Sequence, residues 1–310
     1  MVKIFHKTIK DNNLNLLDDF RIGSWIYAEN PREQEIGDLA ERFKLEPGLL
    51  RDAIDPYEVP RLEIEDSIVY VFTRLPFKEE KIFTQPLLVA IGNDFISTVT
   101  SKQIPFLQKF IDGGVKNFCT TQKTKFFLQI FSEINFVYNN YFYSISRQVR
   151  ETGVKIDKIE NEDIIKLISF ENILNDFLAA LLPTNVILNN LLGPTLTGKF
   201  LELYENDKDL IEDLILSNGQ LIDLCQANLK NIVNIREAYS TIVANNLNRT
   251  MKFLTSITVI LTVPMIVGSL WGMNIPLPLA NSSRAFLIMT LGILAVSIIL
   301  LIIFTRRKWL

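Results

Sequence analysis

Up to about residue 100, apolar and polar side chains alternate in short runs. Val2 to Ile9 and Ser24 to Ala28 read as half-buried strands, as do Ile68 to Leu75, Pro86 to Ile91 and Phe95 to Thr100. Gly92-Asn93-Asp94 between the last two is a hairpin signal. Pro31 to Phe43 changes period: a proline near the start, an acidic first turn, then Ile36, Leu39, Ala40 and Phe43 at helical spacing. A breaker-rich turn, Asp55-Pro56-Tyr57-Glu58-Val59-Pro60-Arg61, separates this helix from the later strands. The pattern predicts an α/β region whose sheet has several antiparallel neighbours.

From residue 104 to 205 the rhythm is helical. Lys125 to Arg150 carries Phe126, Phe127, Ile130, Phe131, Ile134, Val137, Tyr138, Tyr141 and Ile145 on one broad face. Such an aromatic stripe is the pattern of core packing rather than of a ligand pocket. The run Ile164 to Leu192 is expected to be interrupted or ended near Pro183 and closed by Gly193-Pro194. From Asp207 to Trp271 the only proline is Pro264, which predicts one helix roughly 90 Å long. Leu221, Cys225, Asn228, Ile232, Ile235, Tyr239, Ile242 and Asn246 alternate steps of four and three, the seam of helices packed side by side. Self-association is the economical reading of that seam.

The C-terminal part is organised differently. No charged residue occurs between Phe253 and Ser283, and after Arg284 a second uncharged run extends from Ala285 to Thr305. About 20 apolar residues carry a helix across the hydrocarbon core, so these are two membrane spans joined by a short loop. Arg249 and Lys252 precede the first span, and Arg306-Arg307-Lys308 follow the second. Positive flanks stay inside, which predicts cytoplasmic termini and an external loop, with Trp309 as an interfacial anchor. Met1 to Lys10 lacks an apolar signal core, so no cleavage or export is expected from it.

One face of the first span is polar. Asn248, Met251, Thr255, Thr258, Thr262, Met265 and Ser269 follow the four-three rhythm along one side. Two readings stand at this point. Small hydroxyl residues serve helix–helix packing in membranes; with several copies round an axis, the same stripe lines a water-containing path of neutral oxygens and thioethers.

Charge and cysteine content narrow the classes. The chain has 32 basic and 35 acidic residues, and the four charges after residue 252 are all basic. The first 252 residues therefore carry 28 basic against 35 acidic side chains, which argues against nucleic acid as a partner. Two distant cysteines, Cys119 and Cys225, suggest reduced thiols, and a single histidine, His6, with no Cys-x-x-Cys spacing gives no structural zinc signature.

The sequence resembles the CorA family of magnesium transporters. The likeness rests on Trp271-Gly272-Met273-Asn274 at the end of the first of two C-terminal spans, and on the absence of acidic residues after position 252. The basic end Lys308-Trp309-Leu310, the approach segment Asn248-x-x-Met251-Lys252-x-Leu254-Thr255 and the Asp55–Arg61 turn add to it. The resemblance implies an α+β cytoplasmic domain of α/β/α sandwich type over 1–205 and a stalk helix over 206–252. It further implies a pore helix over 253–273, an external loop over 274–284, a second span over 285–305 and a basic tail over 306–310, assembled as a homopentameric channel in the cytoplasmic membrane. By resemblance, Gly272, Met273 and Asn274 form the selectivity filter and the stripe from Asn248 to Ser269 lines the pore. Intracellular Mg²⁺ would regulate it between protomers, with Asp213 and Asp209 as the candidate ligands among the acids that crowd the stalk's start. A solvated, dipole-favoured helix N-terminus is the plainer reading of the same carboxylates.

Three departures matter: Trp271 stands where the family has tyrosine, the loop Ile275 to Ser283 has no acidic residue, and Pro264 lies within the span. Mg²⁺ suits a filter of carbonyl and amide oxygens, because it is hard and releases its water reluctantly. Gly272 is expected to take positive φ at the helix end. The alternatives are Co²⁺, Ni²⁺ or Zn²⁺ transport on the same fold, or a membrane-anchored scaffold or enzyme. No phosphate loop or nucleophile elbow supports the last, and no organic cofactor is expected.

Overall fold

The computed structural model describes residues 1–115, 117–156, 159–193, 203–273 and 284–310. The chain forms two compact units, Met1–Asn234 and Ile235–Leu310, and the division falls inside one helix. In the first unit, strands β1 (Val2–His6), β2 (Asn15–Leu17), β3 (Ser24–Glu29), β4 (Arg61–Glu65), β5 (Ile68–Lys78), β6 (Ile82–Ile91) and β7 (Phe95–Thr100) make one sheet. Its order is β2-β1-β3-β7-β6-β5-β4. Every neighbouring pair is antiparallel except β3 with β7, which run parallel from Ser24↔Phe95 to Glu29↔Thr100.

Strand alternation sends two sets of side chains to opposite faces. Ile68, Tyr70, Phe72, Leu88, Ala90, Phe95 and Val99 pack with Ile36, Leu39, Phe43, Leu49 and Leu50 of helices α1 (Glu33–Phe43) and α2 (Pro47–Asp52). On the other face, Trp25 meets Phe110 of α3 (Pro105–Ile111) and Phe126 of α4 (Lys123–Val154), at centroid separations of 6.5 and 5.1 Å. Tyr138 of α4 donates to the Arg74 carbonyl at 3.0 Å, and Thr73 meets Thr184 of α5 (Asn161–Leu191) at 3.3 Å. The aromatic stripe of α4 is therefore core: Phe126, Phe127, Ile130, Phe131, Ile134, Tyr138 and Ile145 are all buried. A helical layer on each side of the sheet gives the α/β/α sandwich.

Several details differ from the sequence expectation. Helix α5 continues through Pro183. A proline removes one intrahelical donor, and the buried Thr184 beside it donates to the Ala180 carbonyl at 2.8 Å, adding a bond in the same turn. The edge strands β2 and β4 and the short helix α2 lie where no element was expected. The Asp55–Arg61 turn is held by two arginines. Arg61 ion-pairs with Asp52 at 2.7 Å, and with Glu58 and Glu63, while stacking 4.1 Å over the Phe72 ring. Arg74 donates to the carbonyls of Pro56 (2.9 Å) and Glu58, and to Thr84.

Helix α6 (Glu205–Trp271) has 67 residues and is unbroken, Pro264 included. In the first unit it packs against α4 and α5: Asn218 Nδ2 donates to the Leu181 carbonyl at 3.0 Å and Asn135 Nδ2 to the Leu214 carbonyl at 3.5 Å. Leu221, Cys225, Asn228 and Ile232 are all buried within this single chain. The first half of the predicted seam is thus intramolecular, which corrects the self-association reading there. A four-three rhythm reports a helix packing on something, and here α4 and α5 provide it. Ile235, Tyr239, Ile242 and Asn246, in the second unit, are half-buried or exposed.

Candidate ion path

Among the described residues two helices are long and apolar enough to cross a membrane, the C-terminal part of α6 and α7 (Ala285–Arg306). Each has a less exposed side with helical period. On α7 it comprises Ala285, Met289, Ile293, Ser297, Leu300 and Phe304; on α6 it comprises Lys252, Ser256, Ile260, Val263, Val267 and Trp271. These less exposed sides are the ones through which the two helices can pair, and Ser256 is fully buried on that of α6. Past the end of α7, Trp309 stacks on Phe304 with centroids 5.6 Å apart.

The polar stripe occupies the opposite side of α6. Asn248, Met251, Thr255, Thr258, Met265 and Ser269 are exposed and Thr262 is half-exposed. At about 100° per residue, the stripe lies roughly 150° round the helix from that less exposed side. A row of hydroxyls and thioethers is thus exposed while the opposite side of the helix is half-buried.

Two of the four hydroxyls on this stripe have their protons turned back into the helix. Thr258 Oγ1 donates to the Leu254 carbonyl at 2.8 Å and Thr262 Oγ1 to the Thr258 carbonyl at 2.7 Å. These two oxygens therefore present only lone pairs outward, which suits the hydrogens of water around a cation. No carboxylate lies anywhere along the span.

At its C-terminal end the helix closes with Gly272 N–H donating to the carbonyls of Gly268 (3.1 Å) and Ser269 (3.3 Å), and Met273 N–H to Leu270 (3.4 Å). Gly272 is not among the residues of positive φ, which corrects the expectation of a left-handed helix end. A Cβ built on it would meet those two carbonyl oxygens at 3.5 and 3.6 Å, ordinary contact. Among the described residues nothing else crowds a side chain there. Met273 is exposed, whereas Asn274 and the loop Ile275 to Ser283 lie outside the described residues.

The acidic start of α6 separates into two roles. Asp207 is buried and accepts the Tyr204 N–H at 3.1 Å, closing the first turn. Asp209 and Asp213 are exposed, one turn apart on the outer side. Among the described residues no group of three or more His, Cys, Asp or Glu side chains could hold a metal ion within one chain. Two cavities in the first unit, about 420 Å³ between β1, β2 and α1 and about 350 Å³ beside Arg74, are lined by none of the predicted residues. The sequence reading missed Ser256 and Ser297, whose only signal is a hydroxyl inside an otherwise apolar run.

Comparison with known proteins places these features in context. The family model for the CorA-like Mg²⁺ transporter protein matches residues 22–307. The cobalt/magnesium transport protein CorA of Methanocaldococcus jannaschii is 26% identical over 300 residues, covering 94% of this chain and 93% of its own. The complete structure of the CorA magnesium transporter from the same organism superposes with a TM-score of 0.85 at 23% identity, covering 100% of this chain and 99% of its own. The full-length CmaX protein gives a TM-score of 0.78 at 16% identity, covering 99% of this chain and 97% of its own.

Proposed function

The chain belongs to the family of CorA-like Mg²⁺ transporter proteins, and from that premise we propose that it carries Mg²⁺ inward along the axis of a homopentamer in the cytoplasmic membrane. It is a membrane protein that transports divalent cations, not an enzyme. The observation that carries the finer reading is the exposed polar stripe on α6, on which Thr258 and Thr262 turn their hydroxyl protons inward. Such a surface has no use against lipid. Five copies facing one axis would make a neutral, oxygen-rich lining in which a hydrated divalent ion keeps its water. The membrane potential then drives entry, with about 2.3 kcal/mol per elementary charge per 100 mV and twice that for Mg²⁺.

In this reading both termini are cytoplasmic, since Arg249, Lys252, Arg306, Arg307 and Lys308 flank the spans on one side. Gly272, Met273 and Asn274 form the outer constriction, and Asn274 contributes one amide oxygen per copy. A regulatory Mg²⁺ would sit between copies, drawing on Asp213 and Asp209, because one chain does not assemble a metal site among its described residues.

Flux into proteoliposomes, with Mg²⁺, Co²⁺ and Zn²⁺ offered in turn, tests the proposal. Wild-type protein should pass Mg²⁺ down an inside-negative potential, and Asn274→Ala should reduce that flux by roughly two orders of magnitude, as with loss of a catalytic dipole, while the oligomer still assembles. Wild-type rates in Asn274→Ala would overturn the filter assignment. Flux of Co²⁺ or Zn²⁺ without Mg²⁺ would reassign the cargo.

A further inference from the structure

Pro264 lies inside the first span and has no N–H, so the Ile260 carbonyl one turn earlier loses its intrahelical donor. In hydrocarbon an unsatisfied carbonyl costs several kcal/mol, and such a carbonyl is tolerated where a Ser or Thr side chain or a water supplies a proton. The structure holds a candidate donor. Ser297 Oγ on α7 is buried and has no hydrogen-bond partner among the described residues. Other hydroxyls of the two spans behave differently: Ser256, Thr258, Thr262, Thr290 and Thr305 each donate to the carbonyl four residues earlier.

Position pairs the two groups. Ile260 and Ser297 lie on the less exposed sides of α6 and α7, through which a hairpin would pair. Ile260 is about 17 Å of helix from the end of α6 at Trp271, and Ser297 about 18 Å from the start of α7 at Ala285. The two helices are antiparallel arms of a hairpin, so both groups fall at one depth, near mid-span.

We propose that Ser297 is a positioning residue for transport: its hydroxyl serves the Ile260 carbonyl freed by Pro264, directly or through one water, and so fixes the course of the pore helix past its proline. The inference rests on reading α6 and α7 as a membrane hairpin. A hydroxyl at 297 is needed only because residue 264 lacks an N–H. Replacing Pro264 by alanine restores that N–H and makes the hydroxyl redundant.

That dependence gives a double-mutant cycle on the full-length oligomer in detergent, read as its unfolding constant, with Mg²⁺ flux as a second readout. Ser297→Ala should raise the unfolding constant roughly threefold in the wild-type background, the average effect of one hydrogen bond between membrane helices. It should have no effect in Pro264→Ala, and Ser297→Thr should restore the wild-type value. Equal effects in both backgrounds, or none in either, overturn the proposal. Should Pro264→Ala fail to assemble, a ¹³C=O label at Ile260 decides by infrared spectroscopy. Its amide band moves to higher frequency in Ser297→Ala if the bond exists and stays put if it does not. Because stability and the infrared band are read without flux, an absence of Mg²⁺ transport by wild-type protein would count against the transport reading alone.

Discussion

Cys225 shows how a single side chain can prepare an experiment. It is fully buried on α6 in the first unit, and burial pushes its thiol up to about 12. At pH 8 the thiol is protonated and inaccessible, so it neither alkylates nor binds metal until the chain unfolds. Cys119 is likewise buried. The native protein therefore offers a silent background for introduced thiols. Thr258→Cys should react with a cationic, membrane-impermeant thiol reagent in the assembled protein, and Val267→Cys, on the less exposed side, should not. Labelling of Thr258→Cys only by lipid-soluble reagents would remove the stripe from the pore. A second residue-scale lesson lies in Arg61 and Arg74. Both were visible in the sequence, Arg61 at the end of a familiar turn and Arg74 inside a strand, yet only geometry reveals that they clamp that turn from two sides. Burial favours the neutral form of the Arg74 guanidinium, and three accepting residues keep it in place.

At the level of elements, legibility followed the length and regularity of the period. Strands β5, β6 and β7 and helices α1, α6 and α7 were readable because each repeats its apolar spacing over many residues. Strand β2 covers only Asn15–Leu17, and β4 reads Arg61-Leu62-Glu63-Ile64-Glu65 directly after a proline; both are edge strands whose half-exposed side chains leave little apolar signal. The polar stripe was readable for the same reason as the long helices. What a period does not encode is the partner, which is why the seam at Leu221 to Ile232 suggested a second copy while α4 and α5 of the same chain fill it. The outer face of that helix start remains bare, with Asp209 and Asp213 one turn apart. If Mg²⁺ bridges copies there, Asp209→Asn with Asp213→Asn should raise the Mg²⁺ concentration that protects the protein from proteolysis by on the order of tenfold, since carboxylate count sets divalent affinity. Flux at high internal Mg²⁺ should rise with it. Unchanged protection in the double variant would leave these carboxylates with solvation alone.

For the molecule as a whole, the proposed channel is a closed ring in which the exposed stripe of α6 faces the axis and α7 lies outside. On that proposal native mass spectrometry of the detergent-solubilised protein should find five copies, and a monomer or dimer that still conducts would refute the axial pore. The sheet carries a different consequence, one of timing. All seven strands of the sheet, including β7 that closes the centre between β3 and β6, are encoded by Thr100, whereas the long uncharged run begins only at Phe253. At 5–20 residues per second, roughly 8 to 30 seconds of synthesis separate the two. The ribosome has thus delivered a complete sheet well before it exposes any segment that a membrane-insertion machinery could recognise, and the nascent chain travels to the bilayer with that sheet already available to fold.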